Sequence, residues 1–128
     1  MVLLDTQLLL WAAISPEKLP ARARRTIQRR DTAVTFSLVS IWEVAIKLSL
    51  GRPEFRVDPR ALREGLLGEG FTELAITADA VLLVANLPWV HRDPFDRLLV
   101  AQAQAAKLSL LTADRTLLGY GPAVKLAT

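Results

Sequence analysis

Short apolar runs alternate along this chain with longer stretches of helical periodicity. Val2 to Asp5 reads as a short buried strand, and Thr6 to Ile14 as an apolar helix opening directly after it. Ser15-Pro16 breaks the pattern, and Pro20 begins an Arg-rich helix in a first-turn position where its missing N–H costs nothing. Ala33 to Phe36, with β-branched and aromatic residues, reads as a second strand. Ser37 to Leu50 follows as a helix, with Ser37 or Ser40 as its N-cap and Gly51 as its stop. Residues 52–58 form a charged loop containing proline. Asp58-Pro59 starts another helix, which Gly65, Gly68 and Gly70 weaken toward its end. Phe71 to Ile76 alternates as a third strand, and Thr77 to Leu87 is a helix stopped by Pro88. Asp93-Pro94 opens the next helix, running to about Lys107. Leu108 to Thr112 is a fourth strand, Asp114 to Tyr120 a short helix, and Val124 to Ala127 a fifth strand. Strands alternating with helices predict right-handed crossovers and a parallel sheet of four to five strands covered on both faces.

The 128 residues fit one domain, expected over 1–128 with no linker or repeat, and its composition is 52% hydrophobic with few aromatics. That content suits strands and helices buried on several sides. The longest apolar run, Leu8 to Ile14, is seven residues, against roughly 20 for a bilayer span, so no membrane partner is expected. The opening Met-Val-Leu-Leu-Asp lacks a basic region or cleavage signal and is read as part of the first strand. Export is not expected, and a cytoplasmic location is. Cysteine is absent and there is a single histidine, which excludes disulfides, thiolate chemistry and His-rich or Cys-based metal sites.

Charge is concentrated in one place. Six of the 16 basic residues (Lys18, Arg22, Arg24, Arg25, Arg29 and Arg30) lie between positions 18 and 30, where there is no acid. Without that block the chain has 10 basic residues against 13 acidic ones, so the block accounts for the net charge of +3. Arg22, Arg24, Arg25, Arg29 and Arg30 are candidate nucleic-acid contacts, because basic side chains at helical spacing neutralise phosphates. A solvated helix face would have the same pattern.

Several familiar chemistries lack their residues. No Gly-x-Gly-x-x-Gly and no Gly-Lys-Ser/Thr phosphate loop is present, and Gln7 stands where a haloacid-dehalogenase-type phosphotransferase would place its second Asp. A Ser-His-Asp triad would have to use His91, and no Gly-x-Ser-x-Gly elbow presents a nucleophile. Four dispersed acids remain: Asp5, Glu43, Asp96 and Asp114. Asp5 and Asp114 suit helix N-caps, Asp93 suits an N-cap with Asp96 two positions into the helix, and Glu43 suits an ion pair with Lys47 at i+4. Yet Asp5 and Asp114 also fall at strand ends, on the edge where open parallel sheets bind ligands, and Glu43 and Asp96 are placed to lean in from flanking helices. Four carboxylates there would repel one another unless a divalent cation shared them, and hard oxygen ligands favour Mg²⁺ or Mn²⁺. Thr6 and Thr112, beside two of the acids, are candidates to orient water at such a site. With a basic segment for a polyanion, the pattern points to metal-dependent phosphodiester hydrolysis.

The chain resembles the PIN-domain family, and within it the VapC-type ribonuclease toxins of type II toxin–antitoxin pairs. The matching stretches are Leu3-Leu4-Asp5-Thr6 with Leu9-Leu10-Trp11, Ser40-Ile41-Trp42-Glu43-Val44-Ala45-Ile46-Lys47, His91-Arg92-Asp93-Pro94-Phe95-Asp96-Arg97-Leu98-Leu99 with Ala101-Gln102-Ala103, and Leu111-Thr112-Ala113-Asp114. The His-x-Asp-Pro-Phe-Asp-Arg stretch is the most specific of them. The resemblance implies a three-layer α/β/α sandwich, Mg²⁺ or Mn²⁺ at an acidic cleft, and endonucleolytic cleavage of RNA. It matches Asp5, Glu43, Asp96 and Asp114 to the family's acidic quartet, whose fourth position varies. It further implies a homodimer and a cognate VapB-like antitoxin whose tail masks the site. Asp93 is expected as a cap and His91 as a structural or substrate-side residue. The alternative is a noncatalytic PIN-like module that binds RNA or protein and uses its acids as caps.

Overall fold

The first strand lies at the centre of the sheet, so Val2–Leu4 (β1) has neighbours on both sides and its apolar residues are covered on both faces. In the computed structural model, which describes residues 1–128, β1 leads into Thr6–Ile14 (α1), then a 3-10 turn at Pro16–Lys18 and Ala21–Gln28 (α2). Val34–Ser37 (β2), Leu38–Ser49 (α3), Pro59–Gly68 (α4), Thr72–Leu74 (β3) and Ala78–Leu83 (α5) follow, with a 3-10 turn at Val84–Asn86. Pro94–Ala106 (α6), Ser109–Thr112 (β4), a 3-10 segment at Arg115–Tyr120 and Val124–Leu126 (β5) complete the chain. All five strands are parallel, in the order β3-β2-β1-β4-β5. The fold is an α/β/α sandwich.

The period of two along each strand divides the apolar residues between the layers. Leu3, Leu110 and Val124 join Leu99, Val100 and Leu117 in a core with α5, α6 and the last 3-10 segment. Leu4, Leu111 and Phe36 face the other way, into a core with Leu8 and Leu9 of α1, Ala23 of α2 and Leu62 of α4. Leu3 and Leu99 are fully buried, and truncating either to Ala costs about 2–5 kcal/mol. Helix α3 spans the end of the sheet, sending Val39 into one core and Val44 into the other.

Strand order reverses next to β1: the chain moves outward through β2 and β3, then returns to place β4 on the opposite side of β1. Connections therefore diverge above the C-terminal ends of β1 and β4, and a crevice opens there. Asp5 follows the last residue of β1, and Asp114 lies two positions beyond the end of β4.

Most predicted elements form, with informative departures. Ser37 caps α3 by accepting the Val39 N–H, whereas Ser40 is buried and bonds Thr6. Pro20 is the N-cap of α2 rather than its first helical residue, and the helix ends at Gln28, leaving Arg29 and Arg30 outside it. The helix expected over 77–87 is α-helical only to Leu83. Pro88 has no N–H to offer the Val84 carbonyl, and Arg97 caps the chain where it leaves the helix, its guanidinium donating to the carbonyls of Val84 (3.2 Å), Leu87 (3.4 Å) and Pro88 (2.9 Å). Residues 115–120 are likewise 3-10 rather than α-helical, closed by Gly121 at φ 109°.

Candidate metal centre

Asp5 is buried at the crevice and held at both oxygens. Oδ1 accepts the Leu8 N–H at 2.8 Å, capping α1, and Oδ2 accepts the Thr112 hydroxyl. The Thr112 oxygen in turn accepts the Asp114 N–H at 3.0 Å. One threonine thus ties the acid after β1 to the acid after β4, orienting carboxylates rather than water. Thr6 is also committed within the protein, its hydroxyl 2.9 Å from that of Ser40. Burial pushes the Asp5 carboxyl above its ordinary range, the Thr112 and Leu8 hydrogen bonds oppose this, and the charges of Asp114 and Glu43 add to the rise.

Asp96 is the third residue of α6, after the Asp93 side chain that accepts the Phe95 and Asp96 N–H groups. Its own oxygens accept no hydrogen bond from the protein. Desolvation first, then the charges of Asp93, Asp5 and Glu43, push its pKa up to about 7, against a lowering contribution from His91. Glu43 is buried on α3, with Oε2 2.8 Å from Lys47 Nζ while Oε1 has no partner. Asp114 is the most exposed of the four, its side chain 41% accessible. Its Oδ1 caps the last 3-10 segment through the Thr116 N–H at 2.9 Å.

The crevice therefore gathers all four acids, close enough that Glu43 and Asp114 raise the proton affinity of Asp5, and Asp5 and Glu43 that of Asp96. It also contains His91, which stands within the acidic cluster rather than apart from it: Nε2 is 3.3 Å from Asp114 Oδ2 and 4.0 Å from Asp96 Oδ2. Ligating atoms of His91, Asp96 and Asp114 all lie within 4.8 Å of one another. Arg97, also unassigned by residue type alone, is buried but has no carboxylate partner. It stacks on Trp89, 4.0 Å from the ring centroid, and donates to Tyr120 Oη at 3.1 Å, fixing the segment that presents His91. The signal for both was their place in His91-Arg92-Asp93-Pro94-Phe95-Asp96-Arg97.

A hard divalent cation fits this donor set. The buried, unpartnered Glu43 Oε1, and the desolvation and neighbouring charge that push Asp96 up to about 7, are what a compensating ion would relieve. The basic block is a separate surface, linked to the acids by no ion pair. Arg24 donates to the Pro16 and Leu19 carbonyls, and Arg29 forms a two-bond pair with Asp31, the acid just beyond the basic run. Arg22, Arg25 and Arg30 are exposed with no side-chain partner in the chain.

A parallel α/β/α sandwich with carboxylates gathered at the strand switch point is the class that fold and site define. Residues 2–120 match the family model described as PIN domain, and the chain belongs to that family. No curated protein sequence matches it. Among solved structures it is similar to VapBC2 from Rickettsia felis bound to a DNA fragment from their promoter, with TM-score 0.69 and 14% identity over 98% of this chain and 97% of that one. A toxin–antitoxin complex from Klebsiella pneumoniae gives TM-score 0.68 and 19% identity over 100% and 98%. VapBC-5, a toxin–antitoxin system member from Mycobacterium tuberculosis, gives 0.58 and 20% over 97% and 94%.

Proposed function

We propose that this chain is a VapC-type toxin, an endoribonuclease that hydrolyses RNA phosphodiester bonds at an acidic site loaded with Mg²⁺ or Mn²⁺. It acts in the cytoplasm as a homodimer and is restrained by a VapB-like antitoxin. The observation that carries this reading is the pair Asp96 and Glu43. Neither caps a helix, Asp96 is driven to about pKa 7, and Glu43 keeps a buried oxygen without a partner. Capping explains Asp5 and Asp114, which accept N–H groups from Leu8 and Thr116, and the Lys47 ion pair satisfies one Glu43 oxygen, but Glu43 Oε1 and both Asp96 oxygens are left without a partner. The noncatalytic alternative thus gives no role to Asp96 or to the buried Glu43 Oε1.

Asp5, Glu43 and Asp96 would hold the ion, with Asp114 as the exposed fourth carboxylate. When bound, Mg²⁺ or Mn²⁺ supplies Lewis-acid polarisation of the scissile phosphate and neutralises developing negative charge. Asp96 gives up its proton to bind, so affinity rises with pH through about 7. Thr112 keeps Asp5 and the start of the Asp114 turn in register. Arg22, Arg25 and Arg30 add a sequence-independent attraction for the phosphate backbone.

The antitoxin reading draws support from the structural neighbours, described as toxin–antitoxin complexes, and from a groove of about 860 Å³ between α1, α2 and α4. Ala12, Leu19, Ile27, Leu62, Leu66 and Phe71 make that groove largely apolar, which suits a peptide partner. The test is cleavage of single-stranded RNA by purified protein. Activity with Mn²⁺, loss in EDTA and loss in Asp96→Asn are expected; cleavage that persists in EDTA or in Asp96→Asn contradicts the proposal.

A further inference from the structure

We infer that His91 is a positioning residue, an Nε2–H donor of fixed tautomer that holds Asp114 in place as the fourth carboxylate. The inference rests on the metal-site reading above and concerns how that site is kept in order. Of the four acids, Asp114 has the most need of a tether. It is 41% accessible, it rides on a 3-10 segment rather than a strand or α-helix, and an exposed carboxylate exchanges rotamers freely.

The tautomer follows from the main chain. His91 Nδ1 accepts the Asp93 N–H at 3.0 Å, so in the neutral ring Nδ1 carries the lone pair and Nε2 the proton. Nε2–H then has Asp114 Oδ2 within reach at 3.3 Å, while Asp96 Oδ2, at 4.0 Å, lies beyond hydrogen-bond length. Direct ligation by Nε2 would move the proton to Nδ1 and aim it at the Asp93 N–H. The ring therefore acts through Asp114, not on the ion. Thr116 N–H holds Oδ1, and His91 Nε2, 3.3 Å from Oδ2, needs to close by only a few tenths of an ångström to hold the other oxygen as well.

The ring is itself held from behind. His91 N–H donates to Tyr120 Oη at 2.9 Å, the Tyr120 hydroxyl donates back to the His91 carbonyl at 3.2 Å, and Arg97 donates to Tyr120 Oη at 3.1 Å. Gly119 permits this approach, because a Cβ there would stand 2.8 Å from Val90 Cγ1. These are backbone and neighbouring contacts, so changing the His91 side chain leaves the segment anchored.

Calorimetric titration of the metal-free protein with Mn²⁺ tests the inference in wild type, His91→Ala, His91→Gln, Asp114→Ala, the His91→Ala/Asp114→Ala double variant and Asp96→Asn. His91→Ala is expected to weaken Mn²⁺ binding about tenfold, and His91→Gln, which keeps an N–H donor, to recover most of it. The double variant is expected to bind no more weakly than Asp114→Ala, as for two residues acting through one contact. Unchanged affinity in His91→Ala overturns the inference. So does an equal further loss in the double variant, which would make the ring a ligand or a partner of Asp96. Loss in Asp96→Asn with none in His91→Ala removes only the role of His91; wild-type affinity in Asp96→Asn removes the metal site itself.

Discussion

Asp5, at the tip of β1, has protein donors at both oxygens, and Asp114, past the tip of β4, has one at Oδ1 with His91 Nε2 3.3 Å from Oδ2. Glu43 Oε1 and both Asp96 oxygens, carried on α3 and α6, have no donor. The strand-borne acids are built into the fold: they start a helix and a 3-10 segment, and Thr112 joins them. Of the helix-borne acids, Glu43 pairs with Lys47 on its own helix but leaves Oε1 without a partner, and Asp96 is raised by burial and by its neighbours' charge. The difference separates what capping explains from what a bound cation would explain. It also makes the two pairs respond in opposite directions to the same kind of substitution.

The largest effect is expected at Asp5. Asp5→Ala removes the α1 cap and strands the buried Thr112 hydroxyl, so denaturant unfolding in EDTA should show a loss of roughly 2–4 kcal/mol. Asp96→Asn should move the other way, stabilising the metal-free protein by roughly 1–2 kcal/mol at pH 8 after discounting for partial exposure. The sign follows from linkage. The folded carboxyl titrates near 7 and the unfolded one near 3.8, so between those values the folded chain binds the extra proton and stability falls as pH rises. The Asn variant should accordingly lose its advantage as the pH is lowered toward 4; a constant advantage would place the effect elsewhere. Asp114→Ala, an exposed cap, should cost only about 0.5–1 kcal/mol in the same assay. Smallest of all for the fold, Arg22→Glu with Arg25→Glu should leave stability within about 0.5 kcal/mol. The same pair should weaken RNA binding and lower its logarithmic salt slope by about 2; an unchanged slope would make the α2 arginines a solvated face.

The alternation of elements was legible because a parallel sheet buried on both faces leaves nearly continuous apolar strands, as in Val2–Leu4 and Leu110–Leu111. The weak edge strand β3 was legible as a strand but not in extent: Thr72–Leu74 alone pairs with β2. The partner of the carbonyls freed after Leu83 was not readable locally, since Arg97 reaches back to them from α6. Positions of Asp5, Asp96 and Asp114 could be anticipated from strand ends and helix starts, and that of Glu43 from its apolar helical surroundings. The state of each could not, because whether a carboxylate oxygen meets a hydroxyl, an ammonium or nothing is settled by side chains distant in sequence. His91 was opaque for the same reason, its two carboxylate neighbours lying 5 and 23 positions away. The basic run is less uniform than its sequence: Asp31, one residue past its end, pairs with Arg29 at the surface.

The central claim is that this acidic cluster is a divalent-cation site, and the thermal stability of metal-free protein titrated with Mn²⁺ tests it most directly. Wild-type protein should melt at progressively higher temperature as Mn²⁺ rises, gaining about 2.7 kcal/mol at a hundredfold excess over Kd. The gain should be larger at pH 8 than at pH 6, and Asp96→Asn should show none. A wild-type melting temperature indifferent to Mn²⁺ at both pH values would contradict the account.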